Sequence, residues 1–347
     1  MSETIDSVLS RLPSKNPNPL PTPAYCGSSS KGIALAVESM RRHTTDEGWQ
    51  IMEGLQSAGY TLCGFNLLEP SCHVPTILQN TNPGIVVVQD KREWDVSHRD
   101  FREKRAKFKD VACLQSRKDL FKLTILKDSH QRNAYHQESA KEIDCHAWII
   151  YYHPRIVARL APYVRPQHLI RTYHSLDSEL VPPIETHKRE GCLLSGALSA
   201  AYPLRLRLAK ELSSLGNTRF ISHPGYHRNG TATPQYLDQL SHYKVSICTS
   251  SMYGYALRKI MEATACGCVV VTDLPTDEVL PEIDGNLYRV SSTINSKSLR
   301  SILDKLCRNY DIDRQRKWAE KAKTCYDFRN VGCKLALDIE KLRLSFQ

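Results

Sequence analysis

Two basic side chains and one carboxylate stand close together in the segment SSMYGYALRKIMEATACGCVVVTD, which runs from Ser250 to Asp273. Arg258 and Lys259 lie at the start of a predicted helix, and Glu262 lies one turn beyond Arg258 on the same face. Cations beside the unpaired N–H groups of a helix start suit a phosphate, and a carboxylate suits sugar hydroxyls. The pattern therefore predicts a site for a diphosphate that carries a sugar.

The surrounding elements predict a strand–helix–strand unit that would position these side chains. A strand is predicted from Lys244 to Thr249, a helix from about Ala256 to Ala265, and a buried parallel strand from Cys268 to Val271. Ligands of open parallel sheets bind beyond the carboxyl ends of the strands. The candidate donor site therefore also includes three polar residues of the loop after the first strand: Ser250, Ser251 and Tyr253. The alternative is an ordinary crossover helix whose Glu262 is solvated.

In this context the segment resembles the nucleotide-binding C-terminal domain of GT-B glycosyltransferases, particularly the family-4-like and CgeB-like (spore-protein) groups. Those groups carry the run K/R-x-x-E-A-x-A-x-G-x-x-V-V-x-D after a Ser/Tyr-rich loop, and the matching residues here are Lys259, Glu262, Ala263, Ala265, Gly267, Val270, Val271 and Asp273. The resemblance implies that Glu262 binds the ribose hydroxyls of a sugar nucleotide and that Arg258 or Lys259 neutralises its diphosphate. Many retaining members carry a further Glu where this chain has Gly254, so the stereochemical outcome stays open.

A second stretch, S-G-x-x-x-x-x-Y-P-L-R from Ser195 to Arg205, resembles the first βα unit of the same domain. The resemblance implies that the backbone of Ser195 and Gly196 approaches the diphosphate and that Arg205 is a cation at a helix start. It also implies that His223 and Tyr226 frame the nucleotide base. The alternatives are a glycine that relieves crowding at a turn and aromatic side chains that only pack.

Strands that alternate with helical patterns predict an α/β chain with two Rossmann-like, doubly wound parallel-sheet domains that face each other across a cleft, as the GT-B resemblance implies. We predict a flexible, Pro-rich arm over 1–31, an acceptor domain over 32–182 and a nucleotide-sugar domain over 183–325. Residues 326–347 are predicted to form a C-terminal helix that crosses back to the first domain. One helix is predicted from Arg314 to Leu344.

The first domain holds three acid/base candidates. Asp90 follows a buried strand, and His153 and His174 each stand just past the carboxyl end of a predicted strand. An imidazole with a pKa near neutrality can deprotonate an acceptor hydroxyl. His174, with Asp177 nearby, is expected to bind or orient the substrate rather than to act as the base. A histidine bonded to a carbonyl at a strand end is the structural alternative for each.

The net charge and the spacing of the cysteines limit which other classes of protein fit this sequence. The net charge of +10 admits an acidic partner, but the segment Lys91–Lys127 mixes both signs, which favours a solvated helix face over a nucleic-acid groove. The 12 cysteines are scattered without a C-x-x-C repeat, which predicts free thiols in a cytoplasmic protein. The sequence predicts no metal site, no D-x-D motif in a loop after a strand and no membrane span.

These observations predict a metal-independent glycosyltransferase that uses a nucleoside-diphosphate sugar and needs no further cofactor. The acceptor stays open among a small molecule, a glycan, a protein and a nucleic acid. Three alternatives share the nucleotide lobe: a sugar-nucleotide epimerase, a degenerate GT-B protein that binds nucleic acid, and a transferase that acts on DNA or RNA.

Overall fold

Two parallel sheets organise the chain. The computed structural model describes residues 31–36, 47–64, 73–88, 108–126, 133–184, 189–223 and 232–346. The first sheet has six strands in the order β2-β1-β3-β4-β5-β6, and the second has five in the order β11-β10-β9-β7-β8. The prediction of an α/β chain with two parallel sheets is confirmed.

The strands of the first sheet are β1 (Ile33–Ala36), β2 (Thr61–Gly64), β3 (Ile85–Val88), β4 (Phe121–Leu126), β5 (Ala147–Ile150) and β6 (Leu169–Arg171). Those of the second are β7 (Glu190–Gly196), β8 (Thr218–Ser222), β9 (Tyr243–Ile247), β10 (Val269–Thr272) and β11 (Leu287–Arg289). Each sheet is packed on both faces, because separate clusters of buried side chains cover its two sides. Parallel strands buried in this way consist of near-continuous Val, Ile and Leu, as β3 does.

The described helices are α1 (Glu47–Ser57), α2 (Val74–Thr81), α3 (Asn133–Ile143), α4 (Pro154–Leu160), α5 (Pro203–Lys210), α6 (Ala232–Ser241), α7 (Lys259–Ala265), α8 (Ser296–Arg308), α9 (Ile312–Tyr326) and α10 (Phe328–Leu344). Within the described ranges, no helix combines the length and the apolar character needed to cross a membrane.

Strand β4 lies inside the stretch Lys91–Lys127, whose described C-terminal part therefore contradicts the expected solvated helix face. All six residues of β4 are buried, and the strand pairs with β3 and β5. The charge that obscured it is Lys122, whose Nζ donates to the carbonyl of Leu114 at 3.0 Å and contacts Asp144 Oδ2 at 3.4 Å. The local sequence does not show that this lysine is buried, because its partners Leu114 and Asp144 lie outside the strand, and the strand was therefore not predicted.

The predicted helix from Arg314 to Leu344 is instead two helices that are separated at Asp327. Asp327 caps α10 by accepting from the backbone N–H of Arg329 at 3.0 Å. Its Oδ2 also accepts from the Ser178 hydroxyl at 2.6 Å, and Leu176 donates its N–H to the Tyr326 carbonyl at 2.8 Å. The break is therefore fixed by a segment about 150 positions earlier.

Helix α10 packs on α1 at a close crossing of two glycines. A Cβ at Gly332 would lie 2.1 Å from the carbonyl carbon of Gly54, and a Cβ at Gly54 would lie 2.3 Å from the Phe328 oxygen. Leu335, Ala336 and Ile339 of α10 are consequently buried in the same cluster as α1 and the first sheet.

The two sheets meet through side chains at their carboxyl edges. Tyr152, just beyond β5, packs on Tyr255 of the loop after β9 with ring centroids 4.1 Å apart. Arg171 at the end of β6 forms an ion pair with Glu278, which is 2% exposed, and Arg155 of α4 pairs with Asp277. These contacts bring the ligand-binding edge of each sheet toward the other.

Candidate active site at the facing sheet edges

Two cations converge on the turn after β7. Gly196 has φ 114°, a conformation that favours glycine, and a Cβ there would lie 2.4 Å from Lys259 Nζ and 2.7 Å from Arg205 NH1. In the order β8-β7-β9-β10-β11, β8 is added on one side of β7, whereas β9, β10 and β11 are added on the other side, so the order of successive strands reverses between β7 and β9. Gly196 ends β7 at this topological switch point, where open parallel sheets bind their ligands.

Arg205 is 2% exposed and points back from α5 to the end of β9. Its Nε donates to the Thr249 hydroxyl at 3.1 Å, NH1 donates to the Ala197 carbonyl at 3.1 Å, and the guanidinium stacks 4.1 Å from the centre of the Tyr202 ring. Burial lowers the pKa of Arg205 from its usual value. Among the described residues, every hydrogen-bond acceptor of Arg205 is neutral, so no carboxylate in contact with it balances its charge.

Lys259 begins α7 and donates from Nζ to the Ser195 carbonyl at 2.7 Å. Burial, together with the positive charge of Arg205, lowers the pKa of Lys259 to about 7. Within the described ranges neither Lys259 nor Arg205 forms an ion pair with a carboxylate. An anion that entered this turn would restore the charged form of Lys259 and neutralise both cations.

Arg258 and Glu262 form a buried ion pair along α7. Arg258 Nε donates to Glu262 Oε1 at 2.7 Å, and the two side chains are each 8% exposed. Arg258 NH2 also reaches the Thr233 hydroxyl at 3.4 Å. The two adjacent cations predicted from the sequence thus have different environments: Arg258 is paired with a carboxylate, whereas Lys259 joins Arg205 at Gly196.

Backbone N–H groups of the loop after β9 donate hydrogen bonds to nearby side chains. Asp273, beyond β10, accepts from the N–H of Ser250 at 2.6 Å, and burial raises the pKa of Asp273. Ser251 Oγ accepts from the N–H of Tyr253 at 3.1 Å, and the Tyr253 and Tyr255 rings stack with centroids 6.5 Å apart. The three predicted loop residues therefore lie between β9 and the interdomain contact of Tyr255.

Three participants were missed from the sequence: Thr249, Thr233 and Tyr236. Tyr236 of α6 shares a 2.8 Å hydrogen bond with the Ser195 hydroxyl, and burial raises the pKa of Tyr236 well above its usual value. Thr249 ends the predicted strand next to Ser250, a position that could have identified it. Tyr236 and Thr233 lie in α6, and the sequence of this helix does not indicate their contacts with Ser195 and Arg258.

His153 caps α4 at the carboxyl end of β5. Its Nδ1 accepts from the backbone N–H of Arg155 at 3.2 Å. Burial, followed by the charges of Arg171 and Arg155, lowers the pKa of His153. The neutral ring in this arrangement carries its proton on Nε2, which can donate a hydrogen bond to a substrate oxygen but does not accept a proton.

His174 lies beyond β6 and stacks on Tyr151 with ring centroids 4.6 Å apart and an interplanar angle of 13°. Asp177 caps a short turn by accepting from the N–H of Glu179 at 3.1 Å. His223 directly follows β8, in which Ser222 is aligned with Gly196, so His223 lies at the same sheet edge as the cations. Asp90 and Tyr226 lie outside the described residues.

A search of the described residues finds no group of three or more His, Cys, Asp or Glu side chains that could hold a metal ion.

Several solved structures have the same arrangement of sheets. Sucrose-phosphate synthase from Thermosynechococcus elongatus is 12% identical with a TM-score of 0.53 and covers 90% of this chain and 98% of its own. The chain has the GT-B fold. AviGT4, a glycosyltransferase involved in avilamycin A biosynthesis, is 11% identical with a TM-score of 0.51, and the match covers 89% of this chain and 97% of AviGT4. HepE from Anabaena, solved with UDP, is 12% identical with a TM-score of 0.50 over 89% of this chain and 100% of its own.

No family model and no curated protein matches the sequence. At 11–12% identity the likeness to solved structures establishes the GT-B fold, so the chemistry has to be argued from the site.

Proposed function

We propose that this chain is a glycosyltransferase that takes its sugar from a nucleoside-diphosphate donor. The observation that carries the proposal is the convergence of Arg205 and Lys259 on Gly196, with neutral hydrogen-bond acceptors only. A diphosphate is the anion that fits such a turn at the switch point of a parallel sheet. The GT-B fold and the structure of HepE solved with UDP and glucose support the same donor class.

Cleavage of the bond between the anomeric carbon and the diphosphate leaves negative charge on the departing phosphate. Arg205 and Lys259 stabilise this charge as it develops, because their hydrogen bonds hold them in place before the reaction and Arg205 is buried. Two fixed cations can supply the stabilisation that a divalent metal supplies in other transferases. Metal-independent transfer is therefore part of the proposal.

Glu262 is proposed to bind the ribose hydroxyls. Its Oε1 accepts from Arg258, which fixes the position of the buried carboxylate. The remaining lone pairs of the carboxylate can accept from two hydroxyl donors. Ser250, Ser251 and Tyr253 would line the sugar side of the same pocket.

The acceptor is proposed to lie against the first sheet, near His153. In the tautomer that its hydrogen bond with the backbone N–H of Arg155 implies, His153 would orient an acceptor oxygen by donating from Nε2 rather than by removing its proton. Asp90 is the remaining candidate for the base, and His174 is proposed to bind or orient the substrate.

The proposal is tested by a thermal-shift panel of nucleoside diphosphates and nucleoside-diphosphate sugars on the wild type, Lys259→Gln and Glu262→Gln. The matched control is Lys210→Gln, which removes an exposed lysine of α5. A ligand at one hundred times its Kd adds about 2.7 kcal/mol of stability. We expect one base series to stabilise the wild type and the control, with much weaker stabilisation of the two site variants.

Release of the nucleoside diphosphate from the selected donor, with and without an acceptor library, separates the enzyme classes. Transfer that depends on an acceptor supports the proposal, whereas conversion of the donor sugar without any acceptor would indicate an epimerase. Absence of stabilisation by every nucleotide in a folded protein, together with salt-dependent binding of nucleic acid, would overturn the proposal.

A further inference from the structure

Two thiols from distant parts of the chain meet beneath the second sheet. Cys192 lies in β7 and Cys307 lies in the last turn of α8, and their sulfur atoms are 3.5 Å apart. Cys192 is 3% exposed, while Cys307 is partly exposed. Thiols at hydrogen-bond distance can become a disulfide, which has a bond length of about 2.05 Å, through a small movement of two side chains.

Both cysteines line a cavity of about 470 Å³ at the amino-terminal edge of the second sheet, on the opposite side from Gly196. The cavity is also lined by the cations Arg189, Lys244 and Arg308 and by the carboxylates Glu190 and Asp304. A small molecule can therefore reach Cys307 without unfolding the domain. The excess of cations admits a reagent that carries carboxylates.

The surroundings of Cys307 favour its reactive form. A hydrogen bond from the Cys192 thiol and the charge of Lys244 lower the pKa of Cys307, against the opposing effects of burial and Asp304. Lys244 Nζ also donates to the Cys307 carbonyl at 3.4 Å, which holds the ammonium beside the thiol. Because Cys307 is the more exposed of the two thiols and Lys244 binds its backbone, we assign Cys307 as the attacking thiolate and Cys192 as the protonated partner.

The other buried thiols of the second sheet lack these features. The thiols of Cys248, Cys266 and Cys268 each donate to a backbone carbonyl, at 3.4 Å, 3.4 Å and 3.3 Å respectively. Burial raises the pKa of all three. They are therefore unreactive, and the Cys192–Cys307 pair is distinguished by contact, access and charge.

We propose that Cys192 and Cys307 are a redox modification site that forms a reversible disulfide in reaction with a low-molecular-weight disulfide of the glutathione class. The Cys307 thiolate attacks one sulfur of the small disulfide, and one thiolate of the reagent leaves. Cys192 then loses its proton and attacks the Cys307 sulfur, which releases the second thiol and closes the protein disulfide. Two protein thiols are oxidised while one reagent disulfide is reduced to two thiols. The new bond would tether β7, whose other end carries Ser195 and Gly196, to α8.

The test treats the folded full chain with oxidised glutathione, blocks the remaining thiols by alkylation and maps all 12 cysteines by mass spectrometry. We expect a joined peptide containing Cys192 and Cys307 in the wild type. Cys192→Ser should retain glutathione on Cys307, and Cys307→Ser should leave Cys192 reduced. Cys333→Ser, which removes an exposed thiol of α10, is the matched control and should form the joined peptide as the wild type does.

A lasting glutathione adduct on wild-type Cys307 without a joined peptide would overturn the proposal, as would reduced Cys192 and Cys307 under conditions that modify Cys333. Circular dichroism shows whether each variant is folded, and Cys192→Ala replaces Cys192→Ser if the hydroxyl is not tolerated. Lys244→Gln should slow the modification of Cys307 and leave that of Cys333 unchanged. The joined peptide of the wild type decides the proposal even if every variant is unstable.

Discussion

At the scale of single residues, the charge of Lys259 makes the net charge of the site depend on pH. Its pKa of about 7 means that the charged form is lost as the pH rises through neutrality in the ligand-free protein. A diphosphate favours the charged form, so binding above this pH requires uptake of a proton. The protonation of Lys259 therefore depends on ligand binding as well as on the pH of the solution.

We predict that the affinity for the selected nucleoside-diphosphate sugar falls as the pH is raised from about 7 to about 9, by at most about tenfold per pH unit. The donor itself keeps its diphosphate charge in this range, so the change reports the protein. Isothermal titration calorimetry at several pH values in buffers of different ionisation enthalpy measures both the affinity and the proton uptake. Lys259→Gln should bind more weakly and with a nearly flat profile between about pH 7 and 9. The same slope in wild type and variant would exclude Lys259 as the titrating group.

The buried ion pair of Arg258 and Glu262 leads to a second prediction, which concerns the free energy of unfolding. Glu262→Ala leaves Arg258, which is 7% exposed, without its carboxylate partner, and the loss of one member of a buried ion pair costs about 3 to 5 kcal/mol. Urea unfolding should show this decrease in the free energy of unfolding. Asp338→Ala, which breaks the exposed pair with Lys334, should change stability by less than about 1 kcal/mol. Equal effects of the two substitutions would contradict the assigned burial.

At the scale of elements, the crossing of α1 and α10 depends on the absence of side chains at two positions. Alanine raises helix propensity relative to glycine by about 1 kcal/mol, so a purely local view predicts that Gly332→Ala stabilises the protein. The Cβ would instead meet the backbone of Gly54 at 2.1 Å, and backbone atoms cannot move aside as a flexible side chain can.

We therefore predict that Gly332→Ala lowers the free energy of unfolding by about 1 to 3 kcal/mol. The matched control is Gly84→Ala, where an added Cβ meets no atom within 4 Å, and its effect should stay within about 0.5 kcal/mol. Differential scanning calorimetry of the three proteins measures both values. A stabilised Gly332→Ala would mean that α10 does not pack on α1 as described.

At the scale of the whole molecule, the pairing of Arg171 with Glu278 joins the two sheets at the edges where the substrates are proposed to bind. Glu278 is 2% exposed, and burial raises its pKa while Arg171 opposes the rise. One side chain of each domain therefore contributes to this contact, and the free energy of unfolding should depend on both side chains together.

A double-mutant cycle with Arg171→Gln and Glu278→Gln should give a coupling energy of about 1 to 3 kcal/mol in urea unfolding. The same cycle on the exposed pair of Lys334 and Asp338 should give less than about 0.5 kcal/mol. A coupling near zero at Arg171 and Glu278 would show that the domains do not hold this contact in solution.

The sequence by itself determined most of the second sheet and the residues at its edge. Buried parallel strands are runs of apolar residues, and the run at Cys268–Val271, the cations of α7 and the glycine after β7 are local signals that need no knowledge of the fold. The GT-B resemblance drew on the same local signals, and the fold it implied is confirmed. Ser195, Gly196, Arg205, Lys259 and Glu262 were all predicted in this way as candidate site residues.

Only the tertiary structure decided which of those residues act together. The convergence of Arg205 with Lys259, the partners of Lys122 within β4, the break at Asp327 and the contact of Cys192 with Cys307 each join residues that are remote in the chain. Such pairs leave no periodic pattern in the sequence, because their favourable interaction is a contact that forms only after the strands are ordered. Local composition specifies elements and their edges, whereas charge balance and reactivity are properties of side chains that the fold brings together.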